Sequence, residues 1–224
     1  YKKNINMGQE INLLRKYPKT KRDPSERSIQ KTEETIKIAK QFGKDYFDGK
    51  RIYGYGGYHY NPKYWKGVVD DFINFYNITE NSKVLDIGSG KGFMMYDFIK
   101  RIPNLFIRGL ELSEYAILKS IDEIKNYQIL GNAKKLPFEN KSFDLAISIV
   151  TLHNLNKKDC AKSLREISRV SKKSYITLDA YSNFYEKKQM MDWNLTAETV
   201  MHVDEWKDFF KQNSYDGDYY WFKP

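Results

Sequence analysis

Residues 83–100 read KVLDIGSGKGFMMYDFIK, and their order decides the architecture. Val84, Leu85 and Ile87 form an apolar run of strand length, which then meets Gly88, Gly90 and Gly92. The chain continues as FMMYDFIKRI, with apolar residues at helical spacing. A strand turning on glycine directly into a helix is the opening of a β-α-β unit. Outward from it the alternation repeats. LFIRGLEL, YQILGNA, FDLAISIV and SYITLDAY read as strands, while SEYAILKSIDEI and KKDCAKSLREISRV read as helices. Cys160, Leu164, Ile167 and Val170 form one apolar stripe on the latter. VDEWKDFFKQNSY then predicts a helix and GDYYWFKP a last strand. This pattern gives an α/β fold with a mainly parallel sheet covered by helices on both faces.

Before residue 81 the organisation differs. Up to Arg27 the charges are scattered around Pro18 and Pro24, as in an extended arm or a short helix and loop. Residues 28–48 place Ile29, Ile36, Ala39, Phe42 and Tyr46 at spacings of three, four and seven, which predicts one helix with a single apolar face. A loop dense in glycine and tyrosine follows, IYGYGGYHY at 52–60. Asn61 and Pro62 then supply a cap and a first helical residue for a helix carrying Trp65, Val68, Val69, Phe72, Ile73 and Tyr76. We therefore divide the chain into an N-terminal helical arm and substrate lid, 1–80, and a sheet domain, 81–224.

The glycine spacing is the next clue. A dinucleotide-binding turn reads G-x-G-x-x-G; here the third glycine comes one residue early and Phe93 stands in its place. The sequence LDIGSGKG instead resembles the first motif of class I S-adenosylmethionine-dependent methyltransferases, a Rossmann-like family whose strand ends in an acid followed by G-x-G-x-G. The resemblance runs through residues 83–180. It implies that Asp86, Gly88, Ser89, Gly90 and Gly92 hold the methionine part of S-adenosyl-L-methionine, with a helix N-terminus facing its carboxylate. It places Glu111, at the end of RGLEL, on the ribose hydroxyls beside Leu112. GNAKKLPF falls on the adenine loop, with Asn132, Ala133 and Ile149 around the base. Asn132 stands where family members usually carry Asp, so an amide oxygen would accept the adenine amino group. The family usually ends its sheet in a hairpin with an antiparallel last strand. This chain offers only GDYYWFKP after its last helix, so either QMMDWNLTAE supplies unusual structure or the sheet is one strand short.

Methyl transfer from a sulfonium needs alignment more than acid–base machinery. In open α/β sheets ligands sit beyond the carboxyl ends of the strands. That puts Thr151, His153, Asn154, Asp179 and Tyr181 near an acceptor. His153 is the first candidate for a general base, with packing beside the cofactor as the equal alternative. The glycine-rich loop offers Tyr53, Tyr55, Tyr58, His59 and Tyr60; Tyr55 and His59 are catalytic candidates and the other tyrosines substrate contacts. His202 is read as structural or substrate-orienting. No Asn-Pro-Pro-Tyr motif, Pro-Cys pair or acidic set for a divalent metal is present. The expected acceptor is oxygen rather than nitrogen of a small polar metabolite, such as a sugar, nucleotide-linked or phosphoramidate precursor of a capsular polysaccharide.

Charge leaves a second reading open. The formal net charge is +9, and residues 1–40 carry eleven Lys/Arg against five Asp/Glu. A solvated basic face accounts for this, or a basic arm on RNA. A non-catalytic cofactor-binding protein is a third reading. One cysteine excludes a disulfide framework. With no long apolar run or signal-like segment, the expectation is a cytoplasmic protein without membrane insertion.

Overall fold

The computed structural model describes residues 8–19 and 23–223. Its strands are β1 (Lys83–Ile87), β2 (Phe106–Glu111), β3 (Gln128–Leu130), β4 (Phe143–Ile149), β5 (Ser171–Tyr181), β6 (Met201–His202) and β7 (Asp218–Phe222). The helices are α1 (Pro24–Ile29), α2 (Glu33–Ala39), α3 (Lys44–Asp48), α4 (Pro62–Tyr76), α5 (Phe93–Arg101), α6 (Glu114–Leu118), α7 (Asp122–Lys125), α8 (Lys157–Val170), α9 (Phe184–Trp193) and α10 (Val203–Gln212).

Beyond exposed Lys83, β1 is wholly buried and central, covered on both faces. Val84 joins one core with Phe72 of α4, Phe98 of α5 and Ile107 of β2. Leu85 and Ile87 point the other way, into a core with Leu164 of α8 and Trp206 of α10. The stripe Cys160, Leu164, Ile167 and Val170 is wholly buried there, as its spacing predicts. The sheet order is β3-β2-β1-β4-β5, and β5 carries both β6 and β7 on its outer edge. From β1 the chain winds outward through β2 and β3, then returns to place β4 on the other side. The β1–β4 junction is thus the topological switch point, where α/β sheets open a crevice. Register sets Asp86 opposite Gly109 of β2 and Ile147 of β4.

Three sequence expectations change. Residues 28–48 are not one helix but parts of three. Thr32 and Thr35 close a capping box that restarts the chain at α2. Phe42 adopts a positive φ of 49°, which breaks it before α3, and Ile29 of the supposed apolar face is 85% exposed. Residues 113–124 likewise fall into two short helices, α6 and α7. At the carboxyl end QMMDW completes α9 and NLTAE follows it outside any helix or strand, and no hairpin forms among the described residues. Instead β7 runs parallel to β5 from Tyr175↔Asp218 to Asp179↔Phe222. Its outer edge is covered by the arm: the Ile11 N–H donates to the Tyr219 carbonyl at 2.9 Å, and the Tyr219 N–H to the Gln9 carbonyl at 3.1 Å. No helix among the described residues is long and apolar enough to cross a membrane.

Candidate functional site

The turn after β1 is held by backbone geometry. Gly88 and Gly90 take φ of 77° and 55°, a region that side chains disfavour. A Cβ on Gly88 would lie 2.2 Å from Oγ1 of Thr151, whereas one on Gly90 would meet nothing nearer than the Tyr58 ring at 3.6 Å. Gly88 is therefore closed by packing, whereas Gly90 faces the rings of Tyr58 and Phe47 at ordinary contact distance. Its N–H donates to Glu111 Oε2 at 2.7 Å, while Ser113 N–H donates to Oε1 at 2.9 Å. Both carboxylate oxygens of Glu111 are fixed at the mouth of the turn. Helix α5 follows with no side chain capping its start.

Beneath the turn, Asp86 is 3% exposed, and its side chain makes no hydrogen bond or ion pair with the described residues. Burial, reinforced by the charge of Glu111, pushes its carboxyl up to about 8. Burial also raises Glu111, against the lowering effect of its backbone donors. Two acids in one recess without a cation favour a ligand that brings positive charge.

This recess opens into a cleft of about 1670 Å³, larger than the roughly 300–1,000 Å³ of a single-ligand pocket. There is room for two ligands side by side. On the far side, His153 of the segment after β4 meets Asp179 of β5. The Asp179 N–H donates to His153 Nδ1 at 3.2 Å, and Nε2 lies 3.5 Å from Asp179 Oδ2. With Nδ1 accepting, the ring proton sits on Nε2 and faces the carboxylate. Burial lowers the His153 pKa, with Asp179 opposing it, so the ring is neutral at pH 7. Both ring nitrogens are engaged, and His153 has none left over for an acceptor's proton. Asn194 Nδ2 also donates to Asp179 Oδ2. The Asn154 side-chain oxygen is buried with no partner among the described residues.

The remaining wall comes from the tyrosine loop. Tyr55 stacks on Tyr58 with centroids 4.3 Å apart, and Tyr58 packs on Phe93 at 4.7 Å. Burial raises both phenols well above their usual value, though Tyr55 keeps 46% of its surface exposed, which limits the effect there. A buried latch ties this wall to the turn. Lys91, inside the glycine motif, donates from Nζ to both Asp48 oxygens and to the Tyr58 carbonyl, each at 2.7 Å. Tyr115 donates to the same carboxylate at 2.7 Å. Burial alone would raise Asp48, but these donors prevail and hold it down to about 2.

Of the residues singled out by sequence, Asp86, Gly88, Ser89, Gly90, Glu111, Leu112, Asn132, Ala133 and Ile149 line the cleft. So do Tyr55, Tyr58, His59, Tyr60, His153, Asn154 and Asp179. Gly92, Tyr53 and Tyr181 do not. Gly92 packs against Ile124, and the Tyr181 ring lies against His202, whose Nδ1 accepts from Asp204 N–H at the start of α10. Asn132 Oδ1 already accepts from the Lys134 N–H at 3.1 Å, so only a second lone pair is left for a ligand. Sequence reasoning missed Lys91 and Asp48, whose pairing spans 43 residues. It also missed Arg27, Arg51 and Trp193, which line the cleft from three separate segments. The lysine within the glycine motif was the only local signal.

Residues 85–178 match the family model described as a methyltransferase domain. The fold matches a solved protein of Anabaena variabilis, described as a methyltransferase from an antibiotic biosynthesis pathway. Its TM-score is 0.53 at 21% identity, over 66% of this chain and 60% of that one. Residues 85–178 are thus similar to a methyltransferase domain, on a Rossmann-like sheet of the class I methyltransferase fold. Among sequence relatives, this domain is 29% identical over 93 residues to a demethylmenaquinone methyltransferase of Roseiflexus, covering 40% of this chain and 38% of that protein. It is 32% identical over 89 residues to a mitochondrial arginine-hydroxylase of Mus musculus, covering 39% and 25%. The chain spans between a quarter and about half the length of the first curated relatives it matches. A methyltransferase domain with relatives of two different activities has its reaction decided by the cleft.

Proposed function

We propose that the protein binds S-adenosyl-L-methionine at the glycine turn and transfers its methyl group to an oxygen, rather than a nitrogen, of a small polar acceptor. S-adenosyl-L-homocysteine is the product. The observation that carries this reading is the acidic recess: Asp86 and Glu111 lie under the turn that lines the cleft, and among the described residues no cation pairs with Asp86. A ligand bearing an ammonium and a sulfonium supplies the missing positive charge. In this reading Gly88, Ser89, Gly90 and the start of α5 take the methionine carboxylate. Asp86 faces the amino group, Glu111 the ribose hydroxyls, and Leu112, Asn132, Ala133 and Ile149 surround the adenine.

The bound cofactor supplies an already activated methyl group, so the chain's task is orientation. The tyrosine wall excludes water and aligns the acceptor hydroxyl; as its oxygen takes the methyl group, its proton passes to the Asp179 carboxylate, which His153 holds in place. The segment before residue 81 serves as the lid. Within the acceptor class, a sugar or nucleotide-linked precursor of a capsular polysaccharide is the special case suggested by the tyrosine loop. Calorimetry with S-adenosyl-L-homocysteine and transfer of labelled methyl to a panel of sugars, nucleotide sugars and bulk RNA test the reading. Cofactor binding with label on a small molecule supports it. Absence of cofactor binding sinks it, and label on RNA replaces the acceptor. Part of the basic arm, Lys2, Lys3, Lys21 and Arg22, lies outside the described residues.

A further inference from the structure

Two arginines stand in the acceptor half of the cleft without an acidic partner. Arg27 of α1 and Arg51, just before the tyrosine loop, each place their guanidinium carbon 5.4 Å from the ring centroid of Trp193, at the end of α9. All three residues line the cleft. The next residue, Asn194, donates to Asp179, so this group adjoins the far side of the cleft.

The pair is unusual in how little it is used. Arg27 is only 9% exposed, yet its Nε has no hydrogen-bond partner among the described residues and its Nη1 donates to the Arg51 carbonyl at 2.5 Å. Arg51 donates from Nη1 to the Gly54 carbonyl. Neither forms an ion pair with a described residue, and no Asp or Glu occurs at the positions outside the description. Asp23 and Glu26 line the same cleft, but Asp23 is spent capping α1. Burial and the charge of Arg51 pull the Arg27 guanidinium down to about 10, the mark of two like charges crowded without relief. Tyr46 lines the same cleft as the pair.

We propose that Arg27 and Arg51, braced on Trp193, form a subsite for a phosphoryl group carried by the methyl acceptor. Two guanidiniums with no ion-paired carboxylate among the described residues match a dianion in charge, and their planar donor sets match phosphate oxygens. A single carboxylate would leave one charge unmet. This deepens the acceptor reading above and rests on it: the methyl group goes to a hydroxyl of a phosphorylated small molecule, anchored by its phosphate away from the methyl donor.

The test is calorimetry on the full chain with inorganic phosphate, in the presence of S-adenosyl-L-homocysteine. Acetate is the singly charged comparison, and Lys172→Gln, an exposed cation paired with Asp144, is the control for net charge. Phosphate should bind the parent protein. Arg27→Gln and Arg51→Gln should each weaken it by about tenfold or more, while Lys172→Gln leaves it unchanged and acetate binds more weakly. Because Arg27 is buried, a variant that fails to fold is set aside, and the exposed Arg51→Gln decides. The subsite is overturned if the parent protein binds S-adenosyl-L-homocysteine but not phosphate, if Lys172→Gln weakens phosphate equally, or if acetate binds as tightly. Loss of cofactor binding in the parent protein, with phosphate binding intact, instead breaks the methyl-transfer reading and leaves the anion site standing.

Discussion

The two halves of the cleft are built by different means. The turn side is made of backbone: glycines at positive φ, N–H groups on one carboxylate, and a helix start, all within residues 86–113. The opposite side is made of side chains gathered from α1, the tyrosine loop, the segment after β4 and the end of α9. A backbone site is fixed by short-range geometry and suits a ligand shared by a whole family. A side-chain site can be rewritten one residue at a time, and suits the ligand that differs.

The largest expected effect comes from cutting the buried ion pair that links the turn to the tyrosine wall. Lys91→Met leaves the Asp48 carboxylate in a mostly buried site without its cation, and should cost about 3 kcal/mol in chemical denaturation. Lys91→Met combined with Asp48→Asn should recover part of that loss; a double variant no better than the single one breaks the latch account. Glu111→Gln attacks the turn side alone. It should weaken S-adenosyl-L-homocysteine by about 2 kcal/mol in calorimetry and leave phosphate binding at the arginines unchanged.

A pH series sharpens the contrast further. The Asp86 carboxyl is raised from 3.8 to about 8, so the folded protein binds the extra proton. Its stability without ligand therefore falls as pH rises from about 4 to 8. A cationic ligand needs the carboxylate, so cofactor affinity should rise about tenfold from pH 6 to pH 7 and level off above 8. Asp86→Asn should flatten that profile and make the ligand-free protein more stable at pH 8. An affinity indifferent to pH in the parent chain would remove Asp86 from the site. The smallest effect belongs to Tyr55→Phe, which removes one hydroxyl from a half-open ring. Stability should stay within about 0.5 kcal/mol, and any change should appear in kcat/KM for the acceptor.

The same contrast explains what was legible in the sequence. The strand–turn–helix of residues 83–101 and the α8 stripe follow from periodicity and glycine placement, which are local. The α4 start was equally plain, because Asn61 caps and Pro62 follows it. The break at Phe42 was hidden because its apolar side chain continued the helical spacing while its backbone left the helix. The parallel course of β7 was hidden because strand direction depends on how the chain returns after α10, not on the residues of DYYWF. Arg27, Arg51 and Trp193 become neighbours only when α1 packs against α9, so no spacing rule could join them.

Lys91 gives the latch a thermodynamic meaning. The residue before it donates its N–H to Glu111, and its own ammonium grips Asp48 and the Tyr58 carbonyl. A ligand that settles the turn thereby also settles the wall against which the second ligand rests. The coupling free energy between the two is then shared, and reciprocity requires each to change the other's affinity by the same factor. Ordered addition, with the turn occupied first, is the kinetic form this linkage would take, and Lys91→Met would make the two binding events independent.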